Sequence, residues 1–255
     1  MKKLIITLLL LPLLAVSQNS TEYGVFENSI LTPNPAQLSQ FEAGLAAHNK
    51  KYHAEGAYGA DVFWISSGPN AGSYIWSMGP TPWSAMDKRP AQKDGHDADW
   101  NANVLKYMMP EGGQTYWKAI PESSRFANNM TIKNLVVDYY DVKRGKMKDA
   151  MALVEKIHKV YSEKLPDETY GIYTNEFSST KEGRDLAVVS FYENMGQFSQ
   201  NSGMDKKFDE VYGNGSWEQF LKDWYNVTDG SESELWIFMP DLSGTSGEIN
   251  VTPKK

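Results

Sequence analysis

The sequence predicts an α+β fold made of two successive β-α-β-β units, each continued by a further helix and strand. Residues 134–192 carry a strand, a helix and two more strands in that order. Their apolar positions change from a two-residue period to a 3.6-residue period and back again. Short motifs of this stretch also have counterparts, in the same order, in the first half of the chain, which indicates a repeat.

The second unit has the clearer pattern. Residues 134–142 are rich in β-branched and aromatic side chains, which suits a buried strand. A helix follows from Lys146 and ends before Pro166, because proline lacks an N–H and disfavours a helical residue before it. The apolar stripe of this helix comprises Met147, Ala150, Met151, Val154, Ile157, Tyr161 and Leu165. The remaining elements are strands at residues 170–175 and 185–192, a broken helix at 206–224 and a strand at 234–239.

The first unit predicts the same order with weaker patterns. Its elements are a strand at residues 24–30, a helix at 38–52, strands at 60–65 and 73–78, a helix at 100–108 and a last strand at 122–127. We expect Pro110 and the glycines after it to end the second helix. The order β-α-β-β-α-β is ferredoxin-like, with helices on one face of an antiparallel sheet. The other face of each sheet therefore needs a partner.

Short sequence similarities between the units indicate a duplication. The corresponding pairs are His48 and Tyr52 with His158 and Tyr161, Tyr58-Gly59 with Tyr170-Gly171, and residues 86–89 with residues 204–207. Their separations run from 109 residues (Tyr52 to Tyr161) to 118 residues (Met86 to Met204), so one repeat with small insertions accounts for them. We expect a first repeat at residues 18–130, a second at 131–241 and a mobile polar tail at 242–255.

In element order and duplication, residues 23–240 resemble the dimeric α+β barrel superfamily in its tandem form. In that form two ferredoxin-like halves of one chain place their antiparallel sheets face to face. The resemblance implies a space between the sheets whose lining is every second residue of each strand. Members of the superfamily include cofactor-free monooxygenases and haem enzymes, so the fold alone does not choose a chemistry.

The N-terminus predicts export. Met1-Lys2-Lys3, an apolar run over residues 4–14 and the small residues of 15–17 are typical of a signal peptide cleaved before Gln18. The apolar run is short for a bilayer span, so we expect no membrane segment after processing. Cleavage leaves 238 of the 255 residues, and loss of the two lysines moves the formal charge from −7 to −9. This acidic balance argues against a nucleic-acid partner.

The composition excludes several classes of protein. The chain has no cysteine, which excludes disulfides, thiolate catalysis and cysteine-ligated metals. A eukaryotic secreted protein of this size would more often carry disulfides, so we expect a periplasmic or extracellular protein of a Gram-negative bacterium. The G-x-S-x-G, P-loop, H-E-x-x-H and G-x-G-x-x-G motifs do not occur in the sequence.

The candidate catalytic residues lie on the strand at 134–142. Its two alternating faces are Leu135, Val137 and Tyr139 on one side and Val136, Asp138 and Tyr140 on the other. Asp138 is the polar exception, and an inward carboxyl would need a partner or a raised pKa. With Tyr139 or Tyr140 it could act in proton transfer, whereas an Asp138 beside water would have no special role.

The candidate ligand-binding residues are aromatic side chains of the predicted strands. They are Trp64, Trp76, Tyr140, Tyr173, Tyr192 and Trp236. Aromatic walls with a few hydroxyl and indole N–H groups suit a flat, apolar ligand. The same rings could equally fill a solid core.

The candidate metal ligands lie in one loop, at Asp94, His96, Asp97 and Asp99. Carboxylates and an imidazole can hold a cation, although Asp97 and Asp99 also suit the start of the following helix. The remaining histidines favour structural roles. His48 and His158 border apolar helix stripes, and His53 lies near a helix end, where a protonated ring would interact favourably with the dipole.

These observations lead to three hypotheses. The first is an exported protein that binds a small apolar or aromatic molecule between the two sheets without a dedicated cofactor. The second is an enzyme of the cofactor-free monooxygenase kind that uses the same space, with a haem variant requiring a histidine ligand. The third is a non-catalytic interaction module of the cell envelope with a solid interior.

Overall fold

The computed structural model describes residues 22–89, 94–127, 129–179 and 181–250. For Asn250 it describes the backbone alone. The predicted signal peptide and the last five residues of the predicted tail lie outside the described residues. None of the helices in these described ranges combines the length and apolarity needed to cross a bilayer.

Strands and helices alternate along both halves of the chain. The first half comprises β1 (Gly24–Pro33), α1 (Leu38–Tyr52), β2 (Ala60–Ser67), β3 (Tyr74–Pro82), α2 (Trp83–Met86), α3 (His96–Asn103) and β4 (Met108–Ala119). The second half comprises β5 (Asn129–Thr131), β6 (Asn134–Val142), α4 (Met147–Lys164), β7 (Tyr170–Asn175), β8 (Leu186–Tyr192), α5 (Met204–Tyr212), α6 (Ser216–Val227), β9 (Thr228–Phe238) and β10 (Glu248–Asn250). The fold is therefore α+β, as the sequence predicts.

The long strands close into one antiparallel barrel in the order β1-β3-β2-β9-β6-β8-β7-β4. The first half supplies β4-β1-β3-β2 and the second half supplies β9-β6-β8-β7. The two sets join where β2 pairs with β9 and β4 pairs with β7. Closure in this way leaves these strands without an unpaired edge. The short strands β5 and β10 pair with each other beside the barrel.

The barrel interior is packed with large side chains. Trp117 of β4 and Tyr139 of β6 bring their ring centroids to 5.4 Å, although their strands are not neighbours. The same cluster contains Phe63, Ile65, Ile75, Leu135, Val137, Trp236 and Phe238. The face of β6 that carries Leu135 therefore points inward, and the face with Val136, Asp138 and Tyr140 points outward.

Two helical layers cover the outer face of the barrel. Phe41 and Leu45 of α1 are fully buried against Val62, Tyr74 and Met78 of the first half. Over the second half, α4, α5 and α6 bury a larger aromatic cluster around Phe208 and Phe220. The molecule thus has an interior core and two helix-covered cores outside it.

The last strand of the first unit differs from the prediction. Residues 108–119 form β4, although Pro110 and two glycines were expected to end a helix there, and residues 121–123 form a 3-10 turn instead of a strand. Pro110 is tolerated because the register between β1 and β4 breaks between Leu31 and Pro33, which removes the need for its N–H. Gly112 is favoured because a Cβ there would lie 2.6 Å from the carbonyl oxygen of Ile30.

The polar tail also differs from the mobile segment that the sequence predicts. Leu242 is buried, and the Ser243 hydroxyl oxygen accepts a hydrogen bond from the Val62 N–H at 2.8 Å. A Cβ on Gly244 would overlap the carbonyl oxygen of His53, so the chain passes directly against the end of α1. The tail is therefore part of the packed structure as far as β10.

Candidate functional site

A cleft of about 380 Å³ lies on the outer face of the first half, between its sheet and α3 and beside the end of α1. Its apolar walls are Leu31, Tyr58, Trp76, Met78 and Trp100. Its polar lining includes Glu27, Arg89, Asn101, Gln114, His53 and His96. This mixture of aromatic walls and a few convergent polar groups is typical of a small-molecule site.

The alternation of β1 creates this cleft. Phe26 and Ile30 pack with the barrel interior, so Glu27, Ser29 and Leu31 point outward to the helices. Ser29 leaves more room than a large apolar side chain would. The outward face of β1 is therefore suited to a cavity and less to a packed core.

Three histidines converge beside the cleft. His48 lies in the last turns of α1, His53 follows directly after α1, and His96 begins α3. One ring nitrogen from each of the three lies within 4.8 Å of the others. His48 and His53 are buried, whereas His96 is partly exposed and lines the cleft with His53.

Each of these rings has an oxygen partner at Nδ1. His48 Nδ1 lies 2.8 Å from Asp99 Oδ2, and His96 Nδ1 lies 2.9 Å from Asp97 Oδ1. His53 Nδ1 lies 2.7 Å from the carbonyl oxygen of Tyr58. Because the three Nδ1 atoms are all engaged, the Nε2 atoms are the ones that remain to face one another. His53 Nε2 and His96 Nε2 are 3.1 Å apart.

Burial controls the charge of this cluster. Burial is the main reason that the pKa of His48 is lowered, and it lowers the pKa of His53 to about 4. Both rings are therefore neutral near pH 7. The hydrogen bond with His48 lowers the pKa of Asp99, which is a carboxylate under the same conditions.

Packing fixes the positions of the rings. The His48 ring lies 4.9 Å from Tyr52 and 5.1 Å from Trp100, centroid to centroid. Asn49, also buried, accepts a hydrogen bond from Trp76 Nε1 and donates one to the carbonyl oxygen of Leu242. The sheet, α1 and the tail are thus linked directly below the histidines.

A glycine brings the two helices of the site together. A Cβ on Gly44 of α1 would overlap the carbonyl oxygen of Asn103 at the end of α3. Since α3 carries His96, Asp97 and Asp99, this close approach positions one histidine and two carboxylates against α1.

Another part of the cleft holds an ion pair. Glu27 is buried on β1 and contacts the Arg89 guanidinium. Its Oε1 accepts a hydrogen bond from Gln114 Nε2 at 2.7 Å, and the same nitrogen also donates to the Tyr116 hydroxyl. This part of the cleft can therefore offer hydrogen bonds to a polar substituent.

Comparison with solved structures identifies the fold of the chain, whereas comparison of its sequence finds no relative. No protein-family model and no curated protein sequence matches the chain. A candidate monooxygenase from Lactobacillus acidophilus superposes with a TM-score of 0.53 at 14% identity, over 91% of this chain and 100% of its own. A candidate monooxygenase from Fusobacterium nucleatum gives 0.57 at 9% identity, over 92% and 100%. Chlorite dismutase from Candidatus Nitrospira defluvii, in complex with imidazole, gives 0.52 at 9% identity, over 87% and 93%.

The chain has the ferredoxin-like α+β barrel fold. At these identities the likeness establishes the fold alone, and the chemistry has to be argued from the site.

The four residues of the predicted metal loop have different roles in the structure. His96 belongs to the histidine cluster, and Asp97 and Asp99 bond to histidine rings instead of facing a cation. The backbone oxygen of Asp94 accepts a 3.4 Å hydrogen bond from the Tyr52 hydroxyl. His53 was expected as a charged ring at a helix end, but it is buried and neutral.

The predicted catalytic residues lie on opposite sides of the barrel wall. Tyr139 points inward and lies 4.5 Å below the Arg184 guanidinium, ring centroid to Cζ. Asp138 points outward and accepts a hydrogen bond from the Ser233 hydroxyl, and burial raises its pKa. Tyr140 also points outward, with its ring 4.9 Å from that of Trp224. The three side chains therefore do not share one space, and none lines the cleft.

The six predicted aromatic ligand contacts are also separated. Tyr173 and Trp236 lie in the barrel interior, and Trp76 lines the cleft outside it. The other three are the exposed Trp64, Tyr140 beside Trp224, and Tyr192, whose ring lies 4.5 Å from Phe198. The reason is that successive residues of a strand point to opposite faces, and the sequence does not say which face is inside.

The fourth histidine stands apart from the cluster. His158 of α4 places Nδ1 2.8 Å from the Tyr170 hydroxyl, on the outer face of the second half. Sequence reasoning placed His48 and His158 in equivalent positions and did not associate His48 and His53 with His96. The spacing of His48 and His53 at a helix end was visible in the sequence. The contact between α1 and α3, which brings His96 to them, was not visible there.

Proposed function

We propose that this chain binds a small organic molecule in the cleft of the first half. The observation that carries this proposal is the 380 Å³ volume with tryptophan walls and a small set of buried polar groups. Pockets of this size enclose most of the surface of a small ligand. A molecule with a flat apolar body and polar substituents matches Trp76 and Trp100 on one side and the Glu27–Arg89 pair with Gln114 on the other.

This site replaces the space between the sheets that the sequence suggested. The middle of the barrel is occupied by rings such as Trp117, Tyr139 and Trp236. A ligand there would have to displace close-packed side chains, which costs more than entering an existing cleft.

Titration of tryptophan fluorescence tests the binding. We expect saturable quenching by hydroxylated aromatic compounds in chelator-treated protein, because Trp76 and Trp100 line the cleft. Ser29→Phe should abolish it by filling the cleft, whereas Trp64→Phe, which changes an exposed ring elsewhere, should not. No saturable quenching across a panel, or unchanged binding by Ser29→Phe, would contradict the proposal.

A second candidate function is oxygenation of the bound molecule. It is supported by two fold neighbours that are described as candidate monooxygenases and by the imidazoles of His53 and His96 at the cleft. In the chelator-treated protein, a ring CH₂ flanked by a hydroxylated aromatic system would lose a proton to Nε2 of His96 and react with O₂. The CH₂ group would give up its two hydrogens and four electrons to O₂, so that one oxygen atom becomes the product carbonyl and the other leaves as water. Oxygen uptake that His96→Gln abolishes and Asp138→Asn leaves unchanged would support this function.

We also propose that the barrel is a tandem pair of ferredoxin-like units. Its support is the equivalent strand order of the two halves, β4-β1-β3-β2 and β9-β6-β8-β7, together with the short sequence similarities between them. An alignment of related sequences in which the two halves match each other would test this.

Export to the periplasm or the medium is a further proposal. It rests on the lysines, the apolar run and the small residues of positions 1–17. The intact mass of the protein recovered from the host periplasm should correspond to a chain that starts at Gln18. A mass that includes Met1 would contradict it.

A further inference from the structure

The three clustered histidines have defined tautomers. Each Nδ1 faces an oxygen that can only accept a hydrogen bond, namely a carboxylate for His48 and His96 and a backbone carbonyl for His53. Each Nδ1 must therefore carry the proton of the ring. In the neutral rings the lone pair is then on Nε2 in all three cases.

These lone pairs converge without a donor between them. His53 Nε2 and His96 Nε2 are 3.1 Å apart, a distance at which two lone pairs repel unless a cation lies between them. His48 is fully buried, and within the described part of the chain its Nε2 has no hydrogen-bond partner. A buried nitrogen without a partner costs free energy, so the arrangement needs an explanation.

We propose that the Nε2 atoms of His48, His53 and His96 bind one divalent transition-metal ion, with a further coordination position facing the cleft. The proposal goes beyond ligand binding in the cleft and does not depend on it. Three histidines with an open position are a common ligand set for a catalytic zinc ion.

The surroundings of the rings match those of metal ligands. A histidine that binds a metal through one nitrogen usually donates its other N–H to a carboxylate or a backbone carbonyl, which fixes its orientation and raises its basicity. Asp99, Asp97 and the Tyr58 carbonyl provide such a partner for each of the three rings.

The spacing and donor type define the class of ion. Zinc–nitrogen bonds of about 2.0–2.1 Å in a tetrahedron place two nitrogens about 3.3–3.4 Å apart. The separation of His53 from His96 is close to this value, and the whole set lies within 4.8 Å. Neutral imidazoles favour zinc, copper, nickel and iron over calcium or magnesium.

Calorimetric titration of the tag-free, chelator-treated protein with Zn²⁺ tests the site, with Co²⁺ as a spectroscopic substitute. We expect one ion per chain and visible d–d bands from the bound cobalt. Each of His48→Gln, His53→Gln and His96→Gln should weaken binding by about 100-fold or more, since loss of a supporting hydrogen bond alone costs 10–100-fold.

His158→Gln is the matched control, because His158 is the remaining histidine and lies over the other half. It should bind Zn²⁺ as the unaltered protein does. His96→Gln keeps the test valid if the variants of the buried rings do not fold, since His96 is partly exposed. Circular dichroism should confirm that the variants are folded.

Three results would overturn the proposal. They are the absence of stoichiometric zinc binding, zinc binding that survives replacement of all three histidines, and an equal loss in His158→Gln. If zinc does not bind, a proton shared by the Nε2 atoms of His53 and His96 would account for their 3.1 Å separation. Because this titration contains no organic ligand and the tryptophan titration contains no metal, either proposal can fail while the other stands.

Discussion

The two helix-covered faces of the barrel differ in what they bury. Over the second half, α6 places Trp217 and Phe220 in a stack with ring centroids 5.2 Å apart, and Trp224 continues the stack. Over the first half, α1 and α3 leave a cleft beside three histidines. The strands below follow the same order in both halves, so the difference lies in the side chains that face the helices.

A pair of equivalent strands illustrates this difference. The outward face of β6 carries Tyr140, which packs against Trp224, whereas the outward face of β1 carries Ser29 and Glu27, which line the cleft. Large apolar residues on this face favour a closed core, and small or polar residues favour a site. We infer that the second half mainly stabilises the barrel and that the first half carries the function. Substitutions in each half test this division.

The largest effect is expected in the second half. Phe208 is 1% exposed and packs against Tyr212, Trp217 and Phe220. Phe208→Ala should lower the free energy of unfolding by about 3–5 kcal/mol, because it leaves a cavity in a close-packed cluster. Urea denaturation measures this change. Zinc affinity of the folded variant should not change, and a loss of it would show that the halves are coupled.

A smaller effect on stability is expected at the contact between α1 and α3. Gly44→Ala should cost about 1–3 kcal/mol, because the added methyl overlaps the Asn103 carbonyl oxygen and the helices must separate. Zinc binding should weaken with it. Gly230→Ala is the control, since a Cβ there would meet nothing within 4 Å. If Gly44→Ala bound zinc normally, the close approach of the helices would not be needed for the site.

The carboxylate beside His48 should have a moderate effect. Asp99→Asn replaces the charged partner of His48 Nδ1 and should weaken zinc binding 10–100-fold, or about 1.4–2.7 kcal/mol, while the fold is kept. Titration calorimetry measures the change. Asp149→Asn, which alters an exposed carboxylate paired with Lys146, provides the comparison and should have no effect.

The smallest effect is expected at Asp138, and it should depend on pH. Burial raises the pKa of Asp138 in the folded protein, so burying its charge destabilises the fold above that pKa. Below the ordinary aspartate pKa of about 4 the native residue and Asp138→Asn should be similarly stable. As the pH rises through the raised pKa, the variant should become the more stable by about 1 kcal/mol or less. Thermal denaturation of both proteins between about pH 3 and pH 7, a range that brackets these pKa values, would measure the difference. A variant that is less stable than the native protein at neutral pH would contradict the assignment.

Much of the second half could be predicted from its pattern. The periods of residues 134–142 and 146–165 match β6 and α4 because each element buries one face along its whole length. The strand β4 was missed because Pro110 and Gly112 resemble a turn, and only the bulge in its pairing with β1 explains them. The histidine cluster could not be predicted, since it depends on the packing of α1 against α3, which leaves no local signal in the sequence.

Anomalous scattering at the zinc edge from crystals of the zinc-treated protein is the most direct measurement. The account predicts one strong peak per chain within about 2.0–2.1 Å of Nε2 of His48, His53 and His96, on the side of the cleft. A protein without such a peak, or with its zinc bound only at surface carboxylates or at His158, would contradict it.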